Sequence, residues 1–146
     1  MIHRSRRAVL LLPLCVASFA ACLSSTEAQP SNLQLTGDWV YTGVQTGSVR
    51  ENLTGHLMVL GESGNSFQGR LEIVGINEAT GESRVMGGPV SGIAEGNVVD
   101  FEANVETTTR RHVGQIVDDT ISGTWVASSA GGAVSSGTFR AERESQ

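Results

Sequence analysis

The sequence predicts an all-β domain, a single eight-stranded antiparallel up-and-down β-barrel, on three observations. From Leu35 onward, short runs alternate apolar and polar residues at period two, and no stretch keeps a helical period over three turns. Clusters of Gly, Asn, Asp and Ser separate the runs at hairpin-sized intervals: "GESGN" (61–65), "NEATGE" (77–82), "AEGN" (94–97), "DD" (118–119) and "SSAGGA" (128–133). No long Greek-key crossover is visible, so consecutive strands are expected to pair, and closing the sheet on itself removes its exposed edges. A two-sheet β-sandwich is the alternative.

The first expected strand, 36–44, opens on "TGDWVY", and the second, 52–60, reads "NLTGHLMVL". The third, 66–75, sets Phe67, Leu71 and Ile73 on one face against Gln68, Arg70 and Glu72 on the other. In the fourth, 83–94, "MGGPV" interrupts the pattern: Pro89 has no N–H to donate and the paired glycines suggest a bulge or bend. The fifth, 97–106, alternates Val99, Phe101, Ala103 and Val105 with Asp100, Glu102, Asn104 and Glu106. The sixth, 109–117, starts in "TTTRRH", the one basic cluster after the leader; the seventh, 120–127, carries "ISGTWVA"; the eighth, 134–143, carries "SSGTFRAE".

Five of these strands share a phrase. Gly37, Gly55, Gly69, Gly123 and Gly137 each precede a large apolar residue by two positions: Trp39, Leu57, Leu71, Trp125 and Phe139. Period two places both members of each pair on the inward face, a gap followed by a plug. The gaps either let strongly coiled strands cross closely or open a lumen for one small ligand. An empty apolar lumen of about 300 Å³, the low end for a ligand pocket, would cost on the order of 7 kcal/mol, which rivals the stability of a whole domain. Taper and packing is therefore the favoured expectation.

The Gly-x-Trp of "TGDWVY" at the start of the first strand, followed by seven hairpin-linked strands, resembles the calycins, the barrels that include lipocalins and avidin-like proteins. "SGTWV" and "SGTFRAER" are closer to the avidin-type rhythm. The resemblance implies that Trp39 packs across one barrel end, and it places Arg140 as the arginine that backs this Trp. It does not imply biotin binding, because both tryptophans sit in the Gly-x-Trp grammar. The first and last strands of such a barrel are neighbours, so the two Trp phrases are expected to cap one neighbourhood.

Residues 1–21 read as a signal peptide: Arg4, Arg6 and Arg7 precede an apolar run, Ala8 to Ala21, which is shorter than the roughly 20 residues a membrane span needs. "FAAC" resembles the lipobox of bacterial lipoproteins, which implies lipidation of Cys22 and membrane attachment through that lipid. Ordinary cleavage, after Ala20 or after Ala28, gives a periplasmic or secreted protein instead. Residues 22–34 then form a flexible tether, 35–143 the barrel, and 144–146 a tail. Cys15 and Cys22 are the only cysteines, so the barrel holds no disulfide and no thiol chemistry.

Lysine is absent, and removing three of the ten basic residues with the leader leaves seven arginines against 15 acidic residues, a net charge of −8. Such a surface suits solubility and does not suit nucleic acid. No metal motif, phosphate loop or nucleophile elbow appears, and no cofactor is expected. His56 and His112 read as surface residues, Asp118 and Asp119 as a turn, and "ENLT" (51–54) as a formal glycosylation match. Arg111, if inward beside Val113, would place a cation at the barrel mouth to meet an acidic head group; otherwise Arg110 and Arg111 pair with surface carboxylates.

The expected function is non-enzymatic: an exported, lipid-anchored envelope protein that binds a small apolar or amphipathic ligand among Trp39, Tyr41, Phe67, Phe101, Arg111, Trp125 and Phe139. The alternative is a filled structural or interaction barrel that uses its outer surface. An esterase-like or isomerase activity ranks behind both.

Overall fold

A computed structural model describes residues 33–145. The expected leader and all of the tether up to residue 32, including Cys22, lie outside the described residues.

Eight strands follow in chain order: β1 (Gly37–Thr46), β2 (Glu51–Ser63), β3 (Ser66–Asn77), β4 (Ser83–Glu95), β5 (Val98–Val105), β6 (Thr108–Val117), β7 (Thr120–Ser129) and β8 (Gly132–Arg143). Each pairs antiparallel with the next, and β1 pairs with β8 from Trp39↔Arg143 to Thr46↔Ser136. The sheet is a closed up-and-down barrel and not a sandwich. No element among the described residues is helical, in keeping with the period-two pattern.

Two-residue hairpins join five of the seven strand pairs. Asp118 adopts φ 53° and Glu106 φ 54°, the left-handed backbone that tight hairpins need and that Asp tolerates better than most residues. The "DD" pair is therefore a turn, as its chemistry suggested. β2 runs further than expected because a bulge between Val59 and Gly61 lets it keep pairing with β3. The "MGGPV" interruption affects one side only. Gly87, Gly88 and Pro89 stay paired with β3, but the β4–β5 ladder begins only at Val90, where the residue without an N–H has been passed.

The two barrel ends differ. Leu33–Thr36 lies over one end, with Leu35 fully buried against the core. Glu62 carboxylate oxygens accept from the Leu35 N–H (2.8 Å), the Thr36 N–H (3.0 Å) and the Thr36 hydroxyl (2.6 Å). At the same end the Glu144 N–H donates to the Asp38 carbonyl at 2.9 Å, so the tail leaves the barrel tied to β1. The opposite end is formed by the connections 47–50, 78–82, 106–107 and 130–131. It is the mouth.

Candidate functional site

The inward face is filled by interlocking gaps and plugs. A side chain at Gly137 would meet the Trp125 ring at 2.8 Å, one at Gly92 would meet Phe67 at 2.7 Å, and one at Gly114 would meet Phe139 at 3.0 Å. The plug of one strand therefore occupies the gap of another. Gly55, Gly69, Gly123 and also Gly137 serve the other purpose: a Cβ there would lie 2.0–2.1 Å from a carbonyl oxygen of the adjoining strand, so these are points where coiled strands cross closely.

Of the candidate ligand contacts, Trp39, Tyr41, Phe67, Phe101, Trp125 and Phe139 are all buried and belong to one hydrophobic core. Tyr41 stacks on Phe139 at 5.8 Å between centroids, and Phe101 stands edge-on to both Phe67 (6.0 Å) and Phe139 (5.8 Å). Trp39 lies at the covered end, where its indole N–H donates to the Leu35 carbonyl at 2.8 Å. Trp125 lies toward the mouth, level with Gln45 across Gly137 of β8. The two tryptophans thus serve opposite ends of the core and do not cap one neighbourhood. Trp39 is the third residue of β1 and Trp125 the sixth of β7, so strands that run the same way carry their Trp at different heights.

His112, Arg110 and Arg140 sit otherwise than expected, whereas Arg111 takes the surface pairing that was one of its two expected positions. His112 is fully buried, not superficial: its ring stacks on Phe101 at 4.4 Å. Its Nδ1 lies 3.2 Å from the Arg110 carbonyl, which can only accept, so Nδ1 carries the proton and Nε2 accepts from the Tyr41 hydroxyl at 3.2 Å. Burial holds the His112 pKa down at about 3 against the opposing hydrogen bond to the Arg110 carbonyl, the Arg110 charge adding a smaller downward push, and burial pushes the Tyr41 phenol above its ordinary value. The pair is a neutral, mutually satisfied contact.

Arg111 points outward and grips Asp100, with Nη2 2.7 Å from Oδ2; this hydrogen bond holds the Asp100 carboxyl low. The inward cation is its neighbour Arg110, because the face of a strand alternates with every residue. Arg140 also points outward and pairs with Glu142 at 2.7 Å. The arginine that backs Trp39 is Arg143, whose guanidinium carbon lies 4.2 Å from the ring centroid.

At the mouth, β1, β4, β5, β6, β7 and β8 surround a cavity of about 210 Å³ with Arg110, Gln45, Val105, Thr108, Ala127 and Ser135 in its wall. Arg110 is 3% exposed. Its guanidinium lies 4.6 Å over the Trp125 ring, and its Nη2 reaches only the weak acceptor Met86 Sδ, at 3.4 Å. Arg110 Nε and Nη1, Gln45 Oε1 and Trp125 Nε1 are the buried side-chain nitrogens and oxygens that have no hydrogen-bond partner among the described residues. All belong to this end. Glu51, buried nearby, is committed to Arg84 through two contacts of 3.1 and 2.8 Å. A larger depression of about 500 Å³ runs along β2, β3 and β4 at Leu60, Phe67 and Pro89, without any such unpartnered buried atom.

Composition gave no signal for this site. The signal present in the sequence was positional: in "TTRRHVGQI", period two from Ile116 back through Gly114 and His112 arrives at Arg110.

No protein-family model matches the chain, and no curated protein matches it. Among solved structures, the chain is similar to EF1p2_mFAP2b, described as bound to DFHBI, at 13% identity and a TM-score of 0.60, with 75% of this chain and 94% of that one covered. It is also similar to a de novo designed fluorescence-activating β-barrel, at 12% identity and a TM-score of 0.55, with 75% of this chain and 93% of that one covered. At such identities the likeness is one of fold: a closed β-barrel of the same architecture.

Proposed function

We propose that this protein is a non-catalytic binding barrel, exported and anchored by a lipid on Cys22, that takes a small amphipathic ligand at its mouth. The observation that carries the reading is that three of the four unpartnered buried polar side-chain atoms of the described residues belong to Arg110 and Gln45 in the wall of one cavity, while the fourth belongs to Trp125, directly beneath Arg110. Buried polar groups are nearly always hydrogen-bonded, and a cluster of exceptions calls for an occupant. The neighbour described as bound to DFHBI is a barrel of this fold that holds a ligand. A non-enzymatic role is supported by the buried His112 being spent on Tyr41 and a backbone carbonyl. Both described chain ends leave from the end that carries Leu35 and Arg143, so a tether attached there points the mouth away from the membrane.

A second reading, a filled barrel that works through its outer surface, is favoured by the interlocked aromatic core. Native mass spectrometry of the protein expressed from Ser24 into a periplasm separates the two. An adduct that is lost on unfolding supports the binding barrel; a bare mass after incubation with a lipid and metabolite panel supports the filled one. For the anchor, Cys22→Ser is expected to abolish fatty-acid labelling and release the protein from membranes, and labelling that survives the substitution would overturn it.

A further inference from the structure

The mouth cavity contains one positive charge that has no ion-pair partner among the described residues. It belongs to Arg110, and at 3% exposure its guanidinium is largely cut off from water. The other cation of the wall, Arg84, is already matched by Glu51 at 2.8 Å. Glu106, exposed on the rim, adds negative charge without contacting Arg110. Among the charges of the wall Arg84 and Glu51 cancel and Glu106 is in water, so one buried positive charge is left for a single negative one, and a doubly charged group such as a phosphate monoester would be opposed by Glu51 and Glu106. Beside the unpartnered donors of Arg110 stands an unpartnered acceptor, Gln45 Oε1, held in place because Gln45 Nε2 donates to the Val49 carbonyl at 3.2 Å. The apolar part of the wall is Val49, Val105, Ala127 and Val134, with no aromatic or long side chain. At about 210 Å³ the space suits a compact molecule or head group rather than a long chain.

We propose that the mouth cavity recognises a compact monocarboxylate, with Arg110 receiving the carboxylate and Gln45 accepting from a hydroxyl or N–H one or two atoms away. This deepens the binding-barrel reading and rests on it. The charge-assisted contact to Arg110 supplies the affinity, and Gln45 rejects acids that leave its oxygen unpaired.

The test is titration calorimetry on the purified protein with three probes of nearly one shape: benzoate, its neutral counterpart benzamide, and mandelate, which adds a hydroxyl beside the carboxylate. Tryptophan emission is followed in parallel, since Trp125 lies under Arg110. Benzoate is expected to bind at least about tenfold more tightly than benzamide, and mandelate more tightly than benzoate. Arg110→Met removes the preference for benzoate over benzamide; Arg110→Gln, which keeps a polar side chain, serves if the first variant does not fold. Gln45→Leu removes the preference for mandelate over benzoate. Equal binding of benzoate and benzamide, or a preference that survives in the Arg110 variants, overturns the carboxylate assignment and leaves the mouth as a binding site. So does an adduct in native mass spectra combined with no binding of any probe. No adduct and no probe binding together overturn the binding-barrel reading as well.

Discussion

Arg110 illustrates how a side chain can be costly to the fold that holds it. A buried guanidinium without a carboxylate partner forfeits hydration, and the Trp125 face and Met86 sulfur return only part of that loss. Replacement by an apolar side chain of similar length is therefore expected to stabilise the protein: Arg110→Met should raise the unfolding free energy by about 1–2 kcal/mol in urea titrations without added carboxylates. A lower midpoint would show that the stack on Trp125 outweighs the burial cost. His112 makes a different prediction. The folded protein protonates it only near pH 3, whereas the unfolded imidazole does so near 6.5, so unfolding takes up a proton between those values. The stability that depends on neutral His112 is complete above pH 6.5 and disappears as pH falls toward 3, with a slope of at most about 1.4 kcal/mol per pH unit. Urea midpoints measured across that window should fall less steeply in His112→Gln, which keeps an acceptor for the Tyr41 hydroxyl. Asp100 and Glu62, both held below the ordinary carboxylate range, leave a residual acid slope in either protein.

At the scale of the strand, the inward glycines are what let eight short ladders coil into so narrow a barrel. β2 and β3 press together where a Cβ on Gly55 would lie 2.0 Å from the Glu72 carbonyl oxygen and 2.7 Å from the Ile73 Cα, and backbone cannot step aside as a side chain can. Gly55→Ala should cost about 1–3 kcal/mol by forcing the two strands apart. Gly61, at the β2 bulge, has nothing within 4 Å of the corresponding position, and Gly61→Ala should change stability by no more than about 0.5 kcal/mol. Paired denaturation curves check both, and similar losses at the two sites would mean that conformational entropy, not the close crossing, sets the role of these glycines.

For the whole molecule the decisive event is closure of β8 onto β1. Arg143 spans that seam: it covers Trp39, pairs with Asp119 at 2.9 Å, and donates to the carbonyls of Thr36, at 3.1 Å, and Gln34. One side chain thereby joins the last strand, the β6–β7 turn and the segment over the covered end. Arg143→Ala is expected to lower stability by about 1–2 kcal/mol. Hydrogen exchange should quicken first at the amides of Leu35 and Thr36 and at the β1–β8 ladder near Trp39, whereas the β3–β4 ladder should respond only to global unfolding. Uniform acceleration across all strands would mean that the seam has no local stability of its own.

The strands and their order are legible in the chain, because period-two burial and tight-turn residues act within a few positions of one another, whereas the choice of a closed barrel over a sandwich rests on the pairing of β1 with β8 across nearly the whole chain. The two faces of "FQGRLEIV" or "NVVDFEANVE" can be read from the chain because each residue's side is set by its immediate neighbours. Heights around the barrel were not legible in the same way. They depend on the stagger between strands, summed over the whole circuit, and so Trp39 and Trp125 were joined in expectation but separated in the structure. Arg143 in place of Arg140 has a different origin: with Phe139 inward, alternation already turns Arg140 outward, and the β1–β8 register then sets Arg143 opposite Trp39. At "TTTRRH" one step of phase exchanges the solvent-facing and inward arginines; the polar residues there carry no apolar contrast, and although period two from Ile116 leads to Arg110, the exposed Val113 and Val117 mark the opposite phase. The expectation offered an inward Arg111 or two surface arginines, and the fold gives one of each kind, Arg110 inward and Arg111 outward: the inward face can take only alternate residues of β6, and His112 already occupies the position beside Phe101.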